Sequence, residues 1–428
     1  MTHSTLTTAA DAVTSETSTD LQSHLSDYAH LLLTTGVALT KGQTLVISVD
    51  VEHHAFAALV TKRAYELGAK DVVLNWRSRV AAKERLLHAD ESVLATPAAW
   101  IPVYYREYVD ASAAFLSLIS ADPTALEGID AKRISLQSRA LNKSISFYHD
   151  AIMGSAVTWC VASVASERWA DALGYNGSTD EKIARLWRTI FKLCRMTDVA
   201  EDETFDKHLA RLKDRTTRLN ALALRSLHYR CPNGTDLTVR LPAHHIWQGG
   251  SERAQNGVTF TANIPTEEVF SAPQYNGVDG IVFNTKPLIY QGNRIDGFYI
   301  RFKDGAVVEF HADEGEAHLR ELIETDEGSH FLGEVALVDH ESPISASGEI
   351  FFETLYDENA SCHFALGAAY PICLENGESM SEAERTSAGL NSSLAHTDFM
   401  IGCADMDIDG ITESGESVAI MRRGRLLV

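Results

Sequence analysis

The sequence contains few cysteines, and their spacing excludes several kinds of site. The six cysteines are widely scattered and form no C-x-x-C pair, which argues against a zinc-thiolate site. We therefore expect reduced thiols, as in a cytoplasmic protein, rather than a disulfide framework. The cysteines are Cys160, Cys194, Cys231, Cys362, Cys373 and Cys403.

Basic side chains are also scarce relative to acidic ones. The chain of 428 residues has 37 Lys and Arg against 59 Asp and Glu, which gives a formal net charge of −22. Such a charge repels phosphate backbones and anionic lipid, so we expect neither a nucleic-acid nor a membrane partner. No apolar run approaches the roughly 20 residues that a membrane-spanning helix needs.

The N-terminus, residues 1–20, lacks the features of a secretory signal. It is rich in Ser and Thr and has neither a basic start nor an apolar centre. We predict a disordered or loosely attached leader there, at most an addition to the first helix.

Several motifs for cofactors and catalysis are absent as well. The strand ends carry no G-x-G-x-x-G and no Walker lysine motif, so a dinucleotide cofactor is not expected. No G-x-S-x-G elbow is present for an activated serine. No H-E-x-x-H motif is present either, which excludes a thermolysin-like zinc helix.

What the first half does contain is alternating strand and helix patterns. The length alone predicts two or three domains. Apolar, β-branched runs at 44–51 and 71–76 flank an amphipathic helix, and this order predicts a right-handed βαβ unit with a parallel sheet. Further strands are predicted at 113–120 and 157–164. Residues 21–225 are therefore interpreted as an α/β domain.

The second half has a different pattern of apolar and turn residues. From Ser226 onward, short apolar runs are separated by turn residues, as at Asn233-Gly234, which is typical of antiparallel hairpins. We predict that residues 226–428 form a mixed α+β, largely antiparallel domain. All the candidate metal ligands lie in this half.

The triplet His396-Thr397-Asp398 is one candidate for metal binding. An imidazole and a carboxylate two residues apart lie on the same side of an extended backbone. First-row divalent metals accept this mixture of ligands. The triplet alone fits a hydrogen-bonded structural pair better, but the apolar run that follows predicts a buried strand, where an unpaired charge is costly.

His363, Tyr370 and Glu334 are further candidates, each with a structural alternative. His363 and Tyr370 are seven residues apart, which on a helix places them on nearly the same face, two turns apart. A metal ligand with a tyrosine hydroxyl above it would suit oxyanion stabilisation, although a core His and a core Tyr explain the spacing better. Glu334 begins an apolar strand at 332–338, where it could supply a ligand or form a salt bridge.

Two adjacent acids, Glu267 and Glu268, complete the set of candidates. Thr266 could cap a short helix, and both acids would then favour the helix N-terminus. The residues themselves do not choose between the two acids.

Four stretches in order, 265–273, 333–338, 356–363 and 391–402, resemble the aminopeptidase T and aminopeptidase S family of two-metal aminopeptidases. The resemblance implies two divalent ions per subunit (Zn, Co, Mn or Mg) and selects Glu268 over Glu267. It also implies a homodimer that acts on short peptides. The metal ligands that it implies are Glu268, Glu334, His363, His396 and Asp398, and the catalytic residues are Glu334 and Tyr370.

We therefore predict a metal-dependent aminopeptidase that hydrolyses N-terminal residues from short peptides through a metal-bridged hydroxide. One alternative is a metal-dependent hydrolase of another amide or ester on the same scaffold. A second alternative is a non-catalytic dimeric binding protein that uses the α/β half for a small ligand.

Overall fold

The structure is a computed structural model that describes residues 18–198, 200 and 203–428. The predicted leader, residues 1–20, therefore lies outside the described residues except at its last three positions. Helix α1 (Ser18–Leu31) begins there and continues into a π-helical turn at Leu32–Gly36.

The first half of the described chain alternates strands with helices. Its strands are β1 (Thr44–Asp50), β2 (Asp71–Arg77), β3 (Ala114–Ile119) and β4 (Trp159–Ser163). The helices that follow α1 are α2 (His54–Glu66), α3 (Arg79–His88), α4 (Glu91–Leu94), α5 (Trp100–Asp110), α6 (Ala131–Ser144), α7 (Ser146–Met153), α8 (Glu167–Ala172), α9 (Thr179–Leu193) and α10 (Phe205–Ala221).

These four strands form a parallel sheet in the order β4-β3-β1-β2. β1 lies between two neighbours, and most of its side chains are buried, as expected for a strand covered by helices on both faces. The four strands lie within two residues of their predicted positions. The prediction of an α/β region with a parallel sheet is confirmed.

The second half consists mostly of strands. They are β5 (Leu224–Arg230), β6 (Asp236–Arg240), β7 (Gln248–Gly249), β8 (Glu252–Arg253), β9 (Thr259–Phe260), β10 (Asn263–Ile264), β11 (Glu268–Ser271), β12 (Val278–Phe283), β13 (Leu288–Tyr290), β14 (Asn293–Lys303), β15 (Ala306–Glu314), β16 (Leu332–Val338), β17 (His363–Gly367), β18 (His396–Met400), β19 (Asp407–Thr412), β20 (Ser417–Arg422) and β21 (Arg425–Leu426). Its α-helices are α11 (Glu316–Ile323), α12 (Pro343–Ala346), α13 (Thr354–Asn359) and α14 (Glu382–Ser387). Short 3₁₀ turns occur at Val51–His53, Gly328–His330, Pro371–Cys373 and Gly377–Ser379.

Two antiparallel sheets of the second half pack face to face. One has five strands in the order β18-β17-β16-β11-β7, and the other has nine strands and includes β5, β14 and β19. Aromatic side chains interlock between them, with ring centroids 4.9 Å apart for Tyr229 and Phe364 and 5.8 Å apart for Phe298 and Phe399. The predicted antiparallel character of this half is confirmed.

The two halves share part of one core. β10 adds to the parallel sheet beside β4 rather than forming a local hairpin. The indole N–H of Trp169 donates a hydrogen bond of 2.7 Å to the carbonyl of Phe351, across the predicted boundary near residue 225. Ile264, Phe351 and Tyr356 of the second half therefore belong to the core of the α/β half.

The expectation of six reduced thiols is wrong for one pair of cysteines. Cys231 and Cys403 form a disulfide, whereas the other four cysteines are free and buried. Cys231 follows β5 and Cys403 precedes β19, and the pairing of these two strands brings the cysteines together. Their sequence separation of 172 residues gives no local signal of this contact. In the part of the chain that the structure describes, no helix is both long and apolar enough to cross a membrane.

Candidate metal centre

The alternation of side chains along four neighbouring strands places the predicted ligands on one face of the five-stranded sheet. In β16, Val335 and Leu337 point to the nine-stranded sheet, so Glu334 must point the other way. The same alternation separates His363 from the core residue Phe364, and Asp398 from Phe399. The adjacent strands are paired in register, with Ala336 opposite His363 and Ala365 opposite Asp398.

One group of possible ligands consists of Glu268, Glu334 and His363, all of them buried. His363 Nε2 lies 3.0 Å from Glu268 Oε2 and 3.5 Å from Glu334 Oε1. Two carboxylates and an imidazole that converge in this way suit a first-row divalent metal ion.

A second group consists of Glu334, His396 and Asp398. His396 Nε2 lies 3.3 Å from Glu334 Oε2 and 3.5 Å from Asp398 Oδ1. Glu334 belongs to both groups and presents a different oxygen to each histidine. In each group the ligand atoms lie within 4.8 Å of one another, close enough to bind a common ion.

Backbone carbonyl groups orient both imidazoles. His363 Nδ1 lies 3.1 Å from the carbonyl oxygen of Glu358 and 3.0 Å from that of Ser361, and His396 Nδ1 lies 2.7 Å from that of Ala368. A carbonyl oxygen can only accept, so each Nδ1 is the donor. In the neutral ring, Nε2 then carries a lone pair directed into the cluster, as metal-binding histidines require.

With both imidazoles neutral, the carboxylates of the cluster need a proton or a metal ion to balance their charge. Among the described residues, Glu268 Oε2 is buried and accepts no hydrogen bond, although His363 Nε2 lies 3.0 Å away. A carboxylate oxygen and a nitrogen lone pair at this distance repel each other unless a proton or a metal ion lies between or beside them. The donor set and this orphaned oxygen fit a metal ion.

The pKa values of the two histidines also indicate that the carboxylates of the cluster favour a bound positive charge. Burial alone would lower the pKa of His363, but the carboxylates of Glu268 and Glu334 outweigh it and raise that pKa well above its ordinary value. The pKa of His396 is also raised despite burial, because of Asp398 and Glu334. Metal binding would therefore compete with protons for these nitrogens.

Tyr370 lies at the edge of the same cluster. Its ring centroid is 5.0 Å from that of His396 and 5.6 Å from that of Phe270. Burial, followed by the charges of Glu334 and Asp398, raises the pKa of the Tyr370 hydroxyl well above its usual value. The hydroxyl therefore remains protonated and able to donate a hydrogen bond.

Two helices that the local spacing allowed around these residues do not form. His363 and Tyr370 do not lie on a helix, because His363 begins β17 and Tyr370 follows the turn after this strand. Glu268 begins β11 rather than a helix that Thr266 caps. The antiparallel partners β16 and β18 supply the backbone hydrogen bonds that make these segments strands. The predicted extended backbone of 396–398 is confirmed.

The structure brings Glu268, and not Glu267, to the cluster. Glu267 points away from it and forms a buried ion pair with Arg195, in which Arg195 Nη2 lies 3.0 Å from Glu267 Oε2. Asn359 Oδ1 accepts the backbone N–H of Glu267 at 2.6 Å and helps to fix this point of the chain. Glu267 therefore already has its cation within the protein.

A small cavity of about 40 Å³ adjoins the cluster, and its wall contains residues that the sequence analysis did not single out. Glu358 lies within the quoted 356–363 stretch, but an acid in a polar helical segment gives no signal of its own. Glu252 and Trp159 come from β8 and β4 and have no distinctive local pattern. A larger cleft of about 830 Å³ opens beside the cavity and shares His396 with it.

Comparison with known proteins agrees with this geometry. Residues 21–426 match the family described as thermophilic metalloprotease (M29). The chain belongs to this family. Membership confirms the resemblance identified from four sequence stretches, and with it the prediction of a metal-dependent peptidase.

The relatives are similar over almost their whole length. Aminopeptidase AmpS of Bacillus subtilis is 42% identical over 94% of this chain and 97% of its own. The structure of AmpT from Thermus thermophilus has a TM-score of 0.86 at 36% identity and covers 95% of this chain and 100% of its own. The structure of 2,5-dihydroxypyridine dioxygenase from Pseudomonas putida KT2440, at 11% identity and a TM-score of 0.51, shares the fold alone.

Proposed function

We propose that this protein removes N-terminal residues from short peptides with the help of two divalent metal ions. Glu268, Glu334 and His363 would hold one ion, and Glu334, His396 and Asp398 would hold the other. The observation that carries the proposal is the pair of ligand groups that share Glu334 through its two oxygens. The names of the relatives, which are aminopeptidases, support the choice of reaction.

The chemistry follows from the residues around the cavity. A pair of divalent ions lowers the pKa of water and polarises a carbonyl oxygen. Tyr370, whose raised pKa keeps its hydroxyl protonated, would donate a hydrogen bond to the peptide oxygen as negative charge develops on it. Glu334 would belong to both ligand groups, with one oxygen directed to each, and would so fix their relative position. The mixture of imidazole and carboxylate suits Zn or Co, while Mn and Mg remain within the proposal.

The substitution Glu334→Gln tests the shared ligand. We expect a folded protein with less than about one thousandth of the wild-type turnover of L-leucine p-nitroanilide, and with less bound metal. Glu341→Gln is the matched control, because the Glu341 side chain is exposed and distant from the cluster. Full turnover in the Glu334 variant would rule out its assigned role.

Tyr370→Phe tests the proposed hydrogen-bond donor separately. Removing one donor to an oxyanion typically lowers kcat about 10²–10³-fold, and KM and metal content should change little. Unchanged kcat would show that the hydroxyl takes no part in the reaction.

A different amide or ester substrate is the second candidate activity. Rates on leucine p-nitroanilide and on its N-acetylated form distinguish the two, because an aminopeptidase requires the free amine. Equal rates would favour the alternative hydrolase.

We retain a homodimer and a cytoplasmic location as parts of the proposal. Trp100 and Val103 on α5 are 65% and 67% exposed, which supports an interface on that helix. Sedimentation of the wild type should give twice the monomer mass, and Trp100→Ser should shift it toward the monomer. The four buried free cysteines fit a reducing compartment, although the Cys231–Cys403 disulfide does not.

A further inference from the structure

We infer that Glu252 is the residue that binds the free α-amino group of the peptide substrate. This inference rests on the proposed aminopeptidase function and names the group that restricts cleavage to the first residue of a peptide. Glu252 is not one of the predicted metal ligands.

The position of Glu252 fits this role. It lies in β8 and lines the same cavity as Glu268, Glu334 and His363. The α-amino nitrogen of a peptide is only two bonds from the carbonyl carbon that is attacked. A group that binds this nitrogen must therefore lie in the cavity that holds the reacting carbonyl.

The carboxylate of Glu252 is held in place from the α/β half. Ser155, which follows α7 and is fully buried, donates a hydrogen bond of 2.8 Å from Oγ to Glu252 Oε2. Only this one oxygen has a hydrogen-bond donor from a described side chain. The second oxygen is available to a ligand, and the first is held in a defined position.

No cation of the described chain lies close to Glu252. Among the residues in the structure, no Lys, Arg or His nitrogen lies within 4.0 Å of this carboxylate, in contrast to Glu267 with its Arg195 partner. Burial raises the pKa of Glu252 to about 7, as expected for an acid without a balancing cation. A substrate ammonium group, which has an ordinary pKa near 7.7–8.0, would supply that cation.

Trp159 supplies an aromatic part of the cavity wall. It is 9% exposed and lines the same cavity as Glu252. Its indole N–H is buried and has no acceptor among the described residues.

Glu358 is the other unassigned acid in the cavity, but its surroundings assign it to the ion cluster. Its backbone carbonyl accepts from His363 Nδ1, and the charges that act most strongly on its carboxylate are Asp398 and Glu268. The Glu358 carboxylate therefore lies against the predicted ligands, whereas Glu252 is held from the α/β half by Ser155.

The size of the cavity agrees with the inference. At about 40 Å³ it has room for the ammonium end of a substrate. The rest of the substrate would extend into the adjoining cleft of about 830 Å³. A carboxylate that binds the ammonium group at this position would restrict cleavage to the first residue.

The test compares two substrates that differ only in the amine. L-leucine p-nitroanilide carries it, and 4-methylpentanoyl p-nitroanilide lacks it. For Glu252→Gln we expect kcat/KM on the leucine substrate to fall about 100-fold, with little change on the amine-free one. The ratio of kcat/KM on the leucine substrate to that on the amine-free substrate should therefore fall about 100-fold. Gln keeps the shape and can still accept from Ser155.

Equilibrium binding provides a readout that does not depend on turnover. Calorimetry on the metal-loaded protein should show that the Kd of L-leucinol rises about 100-fold in Glu252→Gln, while the weak binding of 4-methylpentan-1-ol does not change. The variant should unfold cooperatively in a thermal scan, and its metal content should match the wild type. Glu341→Gln is the control for a lost negative charge, because Glu341 is exposed and lines neither the small cavity nor the larger cleft.

Ser155→Ala is the second variant in case Glu252→Gln fails to fold. It removes the hydrogen bond that orients Glu252 and should weaken leucinol binding about 3–10-fold. A wild-type preference for the amine in either folded variant would overturn the inference about Glu252 alone. A wild type that cleaves both anilides equally, or neither, would instead overturn the proposed function.

Discussion

The parallel sheet and the five-stranded antiparallel sheet both bury carboxylates, but they balance the charge differently. At the end of β1, Asp50 forms ion pairs with two arginines. Arg77 Nε lies 3.4 Å and Arg79 Nε lies 2.7 Å from its carboxylate. On β11, β16 and β18, three carboxylates face only two imidazoles, with no Arg or Lys of the described chain within 4.0 Å. The first arrangement is complete within the chain, and the second has the composition of a site for added cations.

The same contrast occurs between two adjacent residues. Glu267 is paired with Arg195, while Glu268 faces His363. Successive residues of an extended chain point in opposite directions, so these neighbours enter different environments. The difference between a structural acid and a ligand therefore lies in the partner that each side chain meets.

Removal of metal should have the largest effect, because the carboxylates of the antiparallel cluster, unlike Asp50, lack an arginine partner in the described part of the chain. Chelation by EDTA or phenanthroline should lower turnover of leucine p-nitroanilide more than about 1,000-fold, and added Co²⁺, Zn²⁺ or Mn²⁺ should restore it. The apparent stability should also fall, by about 4 kcal/mol for each ion if the free metal had been near 1,000 times its Kd. Enzyme assays and thermal scans check both effects. If the chelator changed neither turnover nor stability, the charges of the antiparallel cluster would be balanced without metal.

The two adjacent glutamates should respond in opposite ways. Glu267→Gln leaves the buried guanidinium of Arg195 without its carboxylate and should lower the free energy of unfolding by about 3–5 kcal/mol, while both ions remain bound. Glu268→Gln should lose metal from one position with a smaller loss of stability in the metal-free protein. Denaturant titration and metal analysis of both variants provide the measurement. If Glu267→Gln lost metal and Glu268→Gln did not, the assignment of the ligand would be reversed.

Asp50→Asn should produce a smaller effect, confined to stability. Arg77 and Arg79 would lose their carboxylate, but both are partly exposed, so we expect a loss of about 1–2 kcal/mol. Urea titration measures this loss, and kcat, KM and metal content should equal those of the wild type. A loss of bound metal would show that the two charged regions are coupled.

Glu353 should give an effect of similar size on stability, and one that depends on pH. Burial is the main cause that raises its pKa from 4.5 to about 7 in the folded protein. The folded state therefore holds a proton that the unfolded state has lost, and stability falls as the pH rises from about 4.5 to 7. Glu353→Gln should remove this penalty and raise the free energy of unfolding by about 1–2 kcal/mol at pH 8, less than the full shift implies because the side chain is partly exposed. At pH 4.5 the variant and the wild type should be equally stable. Equal stability at both pH values would contradict the raised pKa.

Strand periodicity accounts for the part of the site that could be predicted from local pattern. The extended backbone of His396-Thr397-Asp398 and the buried strand that contains Glu334 were predicted and are confirmed, because both segments have apolar neighbours at strand spacing. The His363 to Tyr370 segment, for which the spacing also fits a helix, is a strand followed by a turn. A separation of seven residues fits a helix face as well as it fits a strand that ends at Gly367 and turns back toward His396.

Contacts between distant segments could not be predicted in this way. The disulfide of Cys231 with Cys403 depends on the pairing of β5 with β19. The exposure of Glu252 to the metal cavity depends on the packing of β8 against the α/β half, where Ser155 meets it. Neither segment has a local sequence pattern that indicates its partner.

The sequence by itself determined the order and type of the main strands and helices, since hydrophobic periodicity and turn residues act over a few neighbouring positions. Its four family stretches also indicated the class of reaction. Only the tertiary structure decided which carboxylates meet an arginine and which meet an imidazole. Electrostatic energy depends on distance through space and on burial, and neither quantity can be read along the chain.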